Sequence, residues 1–208
     1  IKRHADKARE LLKAENEASE RKRLERIAES CDWISENPPR NLFDAVQLFE
    51  FWFEAGAHLE TSVHSIAMRI DQVFWPYYKK DVLENKTLTR AEAGEIFAFS
   101  FFKMHEHGIP VSKHGVRLYG MGTRDYITLT IGGQIPETGE DAWNDLSDVI
   151  LDVVDGYRLH YPDVKIRWHQ KTTREVIKRG CEIARTGMGL PSFKNDEVAI
   201  KSILYNHG

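Results

Sequence analysis

The sequence has few cysteines, no long apolar stretch and no marked excess of charge of either sign. Its 208 residues include only two cysteines, Cys31 and Cys181, which are too few for a disulfide scaffold and typical of a reducing compartment, so we expect a cytoplasmic protein. No run of about 20 apolar residues occurs, which excludes a membrane-spanning helix. Basic residues number 29 and acidic residues 32, so the clustered positive charge that nucleic-acid binding requires is absent.

Motifs for nucleotides and metals are also missing. The glycines at 120–122 and 132–133 fit neither a GxGxxG nor a P-loop frame, and we interpret them as turns. His105 and His107 are two residues apart on a predicted helix, so they point to different sides, and no HExxH or CxxC spacing occurs. We therefore predict no metal site, and a His-rich metal hydrolase is the least favoured function. Such a hydrolase would have to gather His58, His64, His105, His107 and His114.

Three helices are predicted in the first half of the chain. Residues 4–34 are rich in helix-forming residues and carry one apolar stripe, and the Asn-Pro-Pro-Arg sequence at 37–40 ends this helix. A second helix, capped by Asn41, is apolar around most of its circumference and should be buried on most sides. Thr89 and Glu92 form a capping box that begins a third helix. The apolar residues expected in the interior from this helix are Ile96, Phe97, Phe99, Phe101 and Phe102.

Strands and helices alternate along the rest of the chain. Residues 60–67, 126–131 and 164–169 are β-branched or alternating and predict strands, while residues 141–154 and 172–185 predict helices. Because parallel strands need crossover connections, this alternation favours an α/β layer or barrel with parallel strands.

Both cysteines are interpreted as packing residues. Cys181 is next to Glu182, but Ile177, Cys181 and Ala184 form one stripe of a predicted helix, which should face the interior. A nucleophilic cysteine needs an exposed, electropositive environment instead. Cys31 lies on the apolar stripe of the first helix and receives the same interpretation.

The adjacent pair His64 and Ser65 is the one candidate binding site. It lies on a predicted strand just after Glu60, among small or apolar residues. Both side chains can hydrogen-bond to a substrate hydroxyl or carboxylate where a strand end or bulge aims them at one cavity. The alternative, a serine in a small-residue contact and a histidine bonded to backbone, stays open.

Several segments together resemble the pyruvate formate-lyase-like family of glycyl radical enzymes. The resemblance extends over essentially the whole chain, and its strength lies in the order and spacing of the segments. The matching segments are residues 26–34, 37–47, 69–72, 75–81, 88–93, 130–133, 141–147 and 185–196.

This resemblance implies an α/β barrel made of two half-barrels of parallel strands wrapped by helices, with the active site inside. It also implies a glycine-centred radical, installed by a partner iron–sulfur activase that uses S-adenosylmethionine. The radical oxidises a cysteine to a thiyl radical, which takes a hydrogen atom from a small-molecule substrate. The resemblance further implies a homodimer of the full-length protein.

The radical residues themselves are expected outside this sequence. The family's catalytic cysteine follows the Asn195-Asp196 segment in a Gly-Cys-x-Glu loop, and neither that loop nor a radical glycine loop occurs up to Gly208. The chain also begins at Ile1 without an initiator methionine. We therefore expect residues 1–208 to be a partial pyruvate formate-lyase-like domain, inactive by itself.

Within the family, the diol dehydratase and lyase branch is the best match. The segment around His64 and Ser65 is similar to the strand by which those enzymes present a His-Ser pair to substrate hydroxyls. Met68 stands directly before Arg69 where a glycine is usual, so no single substrate is assigned. The branch that forms aryl- or alkylsuccinates shares the Trp75-Pro76 and Arg185-Thr186-Gly187 pattern and stays an alternative. A non-catalytic scaffold or interaction fragment is the second alternative.

Overall fold

A four-stranded parallel sheet organises the molecule. The structure is a computed structural model that describes residues 1–59, 65–106 and 126–207. Strands β1 (Ser65–Arg69), β2 (Tyr126–Gly132), β3 (Asp163–Trp168) and β4 (Ser192–Asn195) lie side by side in chain order, and each neighbouring pair is parallel. The predicted α/β class is therefore confirmed.

Helices connect the strands and precede the sheet. A short π-helical turn (Lys79–Glu84) follows the fifth helix. The helices are α1 (Lys2–Leu12), α2 (Ala18–Ile34), α3 (Leu42–Leu59), α4 (Ile70–Val73), α5 (Trp75–Tyr78), α6 (Arg90–Glu106), α7 (Asp145–Tyr157), α8 (Arg174–Ala184) and α9 (Asp196–His207).

The prediction of one helix over residues 4–34 is wrong, because α1 and α2 are separate. The carboxylate of Glu17 accepts hydrogen bonds from the backbone N–H groups of Ser19 (3.1 Å) and Glu20 (2.7 Å), so it caps the start of α2. Arg21 donates to the carbonyl oxygens of Leu12 and Glu15 at 2.8 Å, which satisfies backbone acceptors where α1 ends. These local bonds outweigh the helix propensity of the intervening residues.

The two predicted caps are confirmed. The side-chain oxygen of Asn41 accepts a backbone hydrogen bond at 2.9 Å at the start of α3. Thr89 and Glu92 form the reciprocal capping box before α6, with backbone-to-side-chain distances of 2.7 and 3.2 Å. A second capping box, between Asn144 and Ser147, begins α7 at Asp145, four residues later than the pattern predicts.

Two aromatic residues expected in the interior from α6 are exposed. On α6, Phe97 and Phe101 are buried as predicted, but Phe99 is 73% exposed and Phe102 is 37% exposed. The helix α3 is buried on most sides, as expected: of residues 42–53, only Trp52, 56% exposed, is neither buried nor half-buried. The helix α6 is apolar around much of its circumference, yet only one of its faces meets the core.

The inward face of α8 differs from the prediction by one residue. Cys181 is exposed, and α8 instead buries Val176, Gly180 and Ile183. A Cβ on Gly180 would lie 2.5 Å from Cδ1 of Ile166 and 2.8 Å from Cζ of Phe193. The glycine therefore lets α8 approach β3 and β4 closely, and the cysteine beside it turns outward.

Cys31 is fully buried, as predicted, and burial raises the pKa of its thiol. The interpretation as a packing residue therefore fits Cys31 and fails for the exposed Cys181.

We expect Gly180→Ala to destabilise the fold by about 1–2 kcal/mol, because overpacking outweighs the gain in helix propensity. Gly156→Ala is the matched control, since Gly156 also lies in a helix and a Cβ there would meet nothing within 4 Å. This control should be stabilised by about 0.5–1 kcal/mol. Urea denaturation followed by circular dichroism measures both changes. Equal changes in the free energy of unfolding of the two variants would contradict the close approach of α8 to β3 and β4.

Candidate functional site

The sheet has one apolar face and one polar face. Leu129 and Ile131 of β2 and Val164 and Ile166 of β3 are fully buried in the main core, against the helices. Successive residues of a strand point to opposite faces, so the residues between them form the other face. The described polar residues of that face on β2 and β3 are Thr128, Thr130, Asp163, Lys165 and Arg167, all half-buried. A sheet of this kind can form one wall of a polar chamber.

The predicted pair His64 and Ser65 lies where the described part of β1 begins. His64 and the first part of the predicted strand, residues 60–64, are outside the described residues. Ser65 is the first residue of β1, and its backbone is in register with Tyr126 of β2. Ser65 is four positions before Arg69, so the alternation of the strand places both positions on the same, polar face. The substrate-binding role of the pair stays a prediction.

The carboxyl edge of the sheet carries a paired ionic group that the sequence analysis did not identify. Arg167, near the end of β3, forms two bonds of 2.9 Å with the carboxylate oxygens of Asp196 at the start of α9. The side chain of Asp196 is only 3% exposed. Gly133 has a φ of +85°, and a Cβ there would lie 2.9 Å from Asp196 Oδ2. Gly132 ends β2 and Gly133 directly follows it, so the pair does not form the predicted turn, but the missing side chain of Gly133 makes room for this ion pair.

Asp71 connects three elements at the same edge. It is fully buried, and its Oδ2 accepts hydrogen bonds from the backbone N–H of Gly132 (2.7 Å) and from the hydroxyl of Ser147 on α7 (2.6 Å). Burial raises the pKa of Asp71, although these hydrogen bonds act in the opposite direction. Arg69 donates to the carbonyl oxygen of Gly132 at 2.9 Å. These bonds hold the ends of β1 and β2 against α7.

An imidazole–carboxylate pair follows β3. His169 is 2% exposed, and its Nε2 lies 3.1 Å from Oδ1 of Asp141. The sequence pattern places His169 only at the end of a predicted strand. The two residues are 28 positions apart, and no sequence motif connects them. Such a pair fixes the orientation of an imidazole, and the second ring nitrogen, Nδ1, accepts a hydrogen bond from the backbone N–H of Lys171 at 3.4 Å.

The described residues contain no group of three or more histidine, cysteine, aspartate or glutamate side chains placed to hold a metal ion. Over the same residues, no helix has the length and apolar character needed to cross a membrane.

Comparison with known proteins identifies the family. Residues 1–207 match the family model described as pyruvate formate lyase-like. The isethionate sulfite-lyase of Nitratidesulfovibrio vulgaris is 34% identical over 202 residues, which are 96% of this chain and 24% of that protein.

Two solved structures cover the whole of this chain and 26% of their own chains. One concerns 1,2-propanediol dehydration in Roseburia inulinivorans (30% identity, TM-score 0.91), and the other is a glycyl radical enzyme from Archaeoglobus fulgidus (28% identity, TM-score 0.89). The chain thus spans about a quarter of the length of these relatives. With its parallel sheet and helical layer, and with a family match from end to end, this chain belongs to the pyruvate formate lyase-like family.

Proposed function

We propose that this chain is part of the barrel of a longer glycyl radical enzyme of the lyase or dehydratase type. The observation that carries the proposal is the similarity of the entire chain, at TM-scores near 0.9, to a glycyl radical enzyme and to a structure concerned with diol dehydration. The sheet supports it, because one face is sealed by helices and the other presents polar side chains. Residues 1–208 would then be a partial domain of that enzyme.

In the proposed reaction, a thiyl radical takes a hydrogen atom from a carbon of a small polar substrate and becomes a thiol. The substrate radical then loses a neighbouring group, which leaves with the electron pair of its C–O, C–C or C–N bond while the substrate gives up a proton, so the product remains a neutral radical. The product radical then takes the hydrogen atom back from the thiol, so the radical is regenerated. The cysteine and the radical glycine would come from chain beyond Gly208, and an iron–sulfur activase using S-adenosylmethionine would install the radical.

This chain would supply part of the chamber wall and two substrate contacts. A thiyl radical has to be kept from water and oxygen, and a helix-covered sheet provides such a barrier. His64 and Ser65 would hydrogen-bond to the substrate and hold the leaving group in position, while the radical supplies the difficult step. The full-length enzyme would act as a homodimer in the cytoplasm.

We expect His64→Ala and Ser65→Ala each to lower turnover about tenfold, the effect of losing one or two substrate hydrogen bonds, and to leave radical formation intact. The protein expressed from its complete natural gene is activated without oxygen, and the glycyl radical is measured by electron paramagnetic resonance. Turnover is measured by hydrogen–deuterium exchange into 1,2-propanediol. Lys178→Ala is the control, since this lysine is exposed on α8, away from the polar face.

The radical signal tests the enzymatic function, and the turnover of the variants tests the substrate-binding role of His64 and Ser65. If activation produces no glycyl radical, the enzymatic function is wrong and the non-catalytic alternative is favoured. If the radical forms and both variants keep full turnover, the function stands and the substrate-binding role of His64 and Ser65 is wrong.

A further inference from the structure

Helices α1 and α2 form a hairpin that has its own small apolar cluster. Ala8 of α1 packs with Leu24 and Ala28 of α2, and Leu12 and Ile27 lie against them. The main core is a separate cluster built from the sheet and helices α3 to α8, and within the described part of the chain it contains no residue of α1 or α2. Because the two clusters share no residue, we expect two units that differ in stability.

A groove of about 830 Å³ lies between this hairpin and the rest of the described chain from α3 onward, which we call the body. Side chains of α1 and α2 between positions 4 and 27 line one wall, and side chains of α3 and α6 line the other. Phe99 on the wall formed by the body is 73% exposed. Atoms that face an open space lose the dispersion contacts of a packed interface, so the hairpin is held to the body more weakly than the body is held together.

Two ring contacts reach from the hairpin to the body beside the groove. The guanidinium of Arg26 on α2 lies 3.9 Å from the ring centre of Phe43 on α3. The rings of His4 on α1 and Phe51 on α3 meet edge to face, with 4.8 Å between their centres. Such contacts are weak compared with the burial of a side chain in a core, so they can close the hairpin on the body and also break without unfolding the body.

The connection between α2 and α3, residues 35–41, can serve as a pivot. The prolines at 38 and 39 have no backbone N–H group to bond to either helix. Arg40 donates to the buried carboxylate of Asp44 on α3 at 2.7 Å and to the exposed carboxylate of Glu29 on α2 at 2.9 Å. The bond to Glu29 is an exposed ion pair of low strength, so the connection stays fixed to α3 when the hairpin moves.

The end of the hairpin beside this connection is its better packed end. Ala5 and Cys31 are fully buried there, and Ile34 is 4% exposed. An ion pair between Lys2 and Glu36 also joins the start of α1 to the end of α2. The opposite end, where α1 passes into α2, is more open, because the side chains at positions 9–11 and 13–14 are exposed.

We propose that the α1–α2 hairpin is a hinged lid that opens away from α3 and α6 as one unit, while the sheet and the main core stay folded. It pivots at residues 35–41, and its opening widens the groove and uncovers the side chains of α3 that face the hairpin. This inference does not depend on the proposed function.

Hydrogen exchange of backbone amides, followed by mass spectrometry, tests the lid in the protein expressed from its complete natural gene. Helices of 11 and 17 residues are only marginally stable in water, so a detached hairpin exchanges its amides. We expect α1 and α2 to exchange at least about tenfold faster than β2 and β3, as units of lower stability do within a folded protein.

Arg26→Ala distinguishes one unit from two helices that open separately. It should accelerate exchange in both α1 and α2 by about two- to fivefold, the scale of an exposed cation–π contact, and leave β2 and β3 unchanged. Arg23→Ala is the matched control, because this arginine also lines the groove on α2 but is paired with Glu20 of the same helix. The control should leave exchange in α1 unchanged.

Exchange in α1 and α2 as slow as in β2 and β3 overturns the proposal. Acceleration of α2 without α1 in Arg26→Ala also overturns it, because the helices would then open separately. The proposal is equally wrong if Arg26→Ala accelerates the strands by the same factor as the hairpin, or changes neither helix.

Discussion

Replacing Asp71 by alanine should lower the free energy of unfolding by about 3–5 kcal/mol, which is the scale for removing one partner of a buried charged network. Asp71 is fully buried and accepts hydrogen bonds from Gly132 at the end of β2 and from Ser147 in α7. In the alanine variant, a backbone N–H and a hydroxyl lose their acceptor in a place that water does not reach. The penalty is the desolvation of two donors together with a small cavity.

The asparagine variant separates the charge of Asp71 from its hydrogen bonds. Both donors bond to Oδ2, whereas Oδ1 has no hydrogen bond within the described residues. An asparagine amide can therefore keep its oxygen at the Oδ2 position and turn its NH₂ group to the other side. We expect Asp71→Asn to cost about 1 kcal/mol, on the scale of one hydrogen bond.

Urea denaturation measures the free energy of unfolding of both Asp71 variants. If the slope of this free energy against urea concentration is unchanged, the folded and unfolded states of the variants are similar to those of the parent protein. Ser147→Ala, alone and combined with Asp71→Ala, completes a double-mutant cycle. The cost of the double variant should be clearly smaller than the sum of the single costs, because the second change removes a donor that the first left unsatisfied. Additive costs, or a loss below about 1 kcal/mol for Asp71→Ala, would show that this network does not support the fold.

The features predicted correctly from the sequence are local or periodic. The Thr89–Glu92 capping box involves residues three positions apart, so its geometry follows from the helix itself. The β-branched alternation of β2 and the helices between the strands are enough to indicate a parallel α/β sheet. Neither feature depends on knowing which distant residues are neighbours.

The features that the sequence analysis missed depend on distant contacts. Gly180 faces the sheet only because Ile166 and Phe193 leave no room for a larger side chain, and this contact turns Cys181 outward. The bonds of Asp71 join residues 61 and 76 positions apart. A helical pattern shows which residues share a face, but the neighbouring elements decide which face is buried.

The burial of the Glu50 carboxylate has only a weak indication in the sequence. Glu50 is a single acidic residue within the strongly apolar part of α3, between Phe49 and Phe51. An acid in such a position is either exposed on the outer side of the helix or buried with a perturbed pKa. Only the packing of α3 against α6, which brings Ser100 to its carboxylate, distinguishes the two cases.

Glu50 should make the stability of the fold decrease as the pH rises from about 4.5 to about 7. Burial raises the pKa of Glu50 from 4.5 to about 7, with the charge of Glu54 acting in the same direction and Ser100 and Lys103 acting against it. Between these two values the folded state keeps a proton that the unfolded state has released. The free energy of unfolding is therefore highest below the pKa of Glu50 in the unfolded chain. It falls by about 3 kcal/mol in total as the pH rises to the pKa of Glu50 in the folded protein.

Glu50→Gln should remove this dependence, because the amide stays neutral and its oxygen can still accept from Ser100. The variant should match the parent protein at about pH 4 and exceed its stability by about 3 kcal/mol at about pH 8. Urea denaturation across this pH range measures the difference, with the exposed Glu95→Gln as the control that leaves the slope unchanged. Parallel curves for Glu50→Gln and the parent would mean that Glu50 ionises as readily in the folded protein as in the unfolded chain.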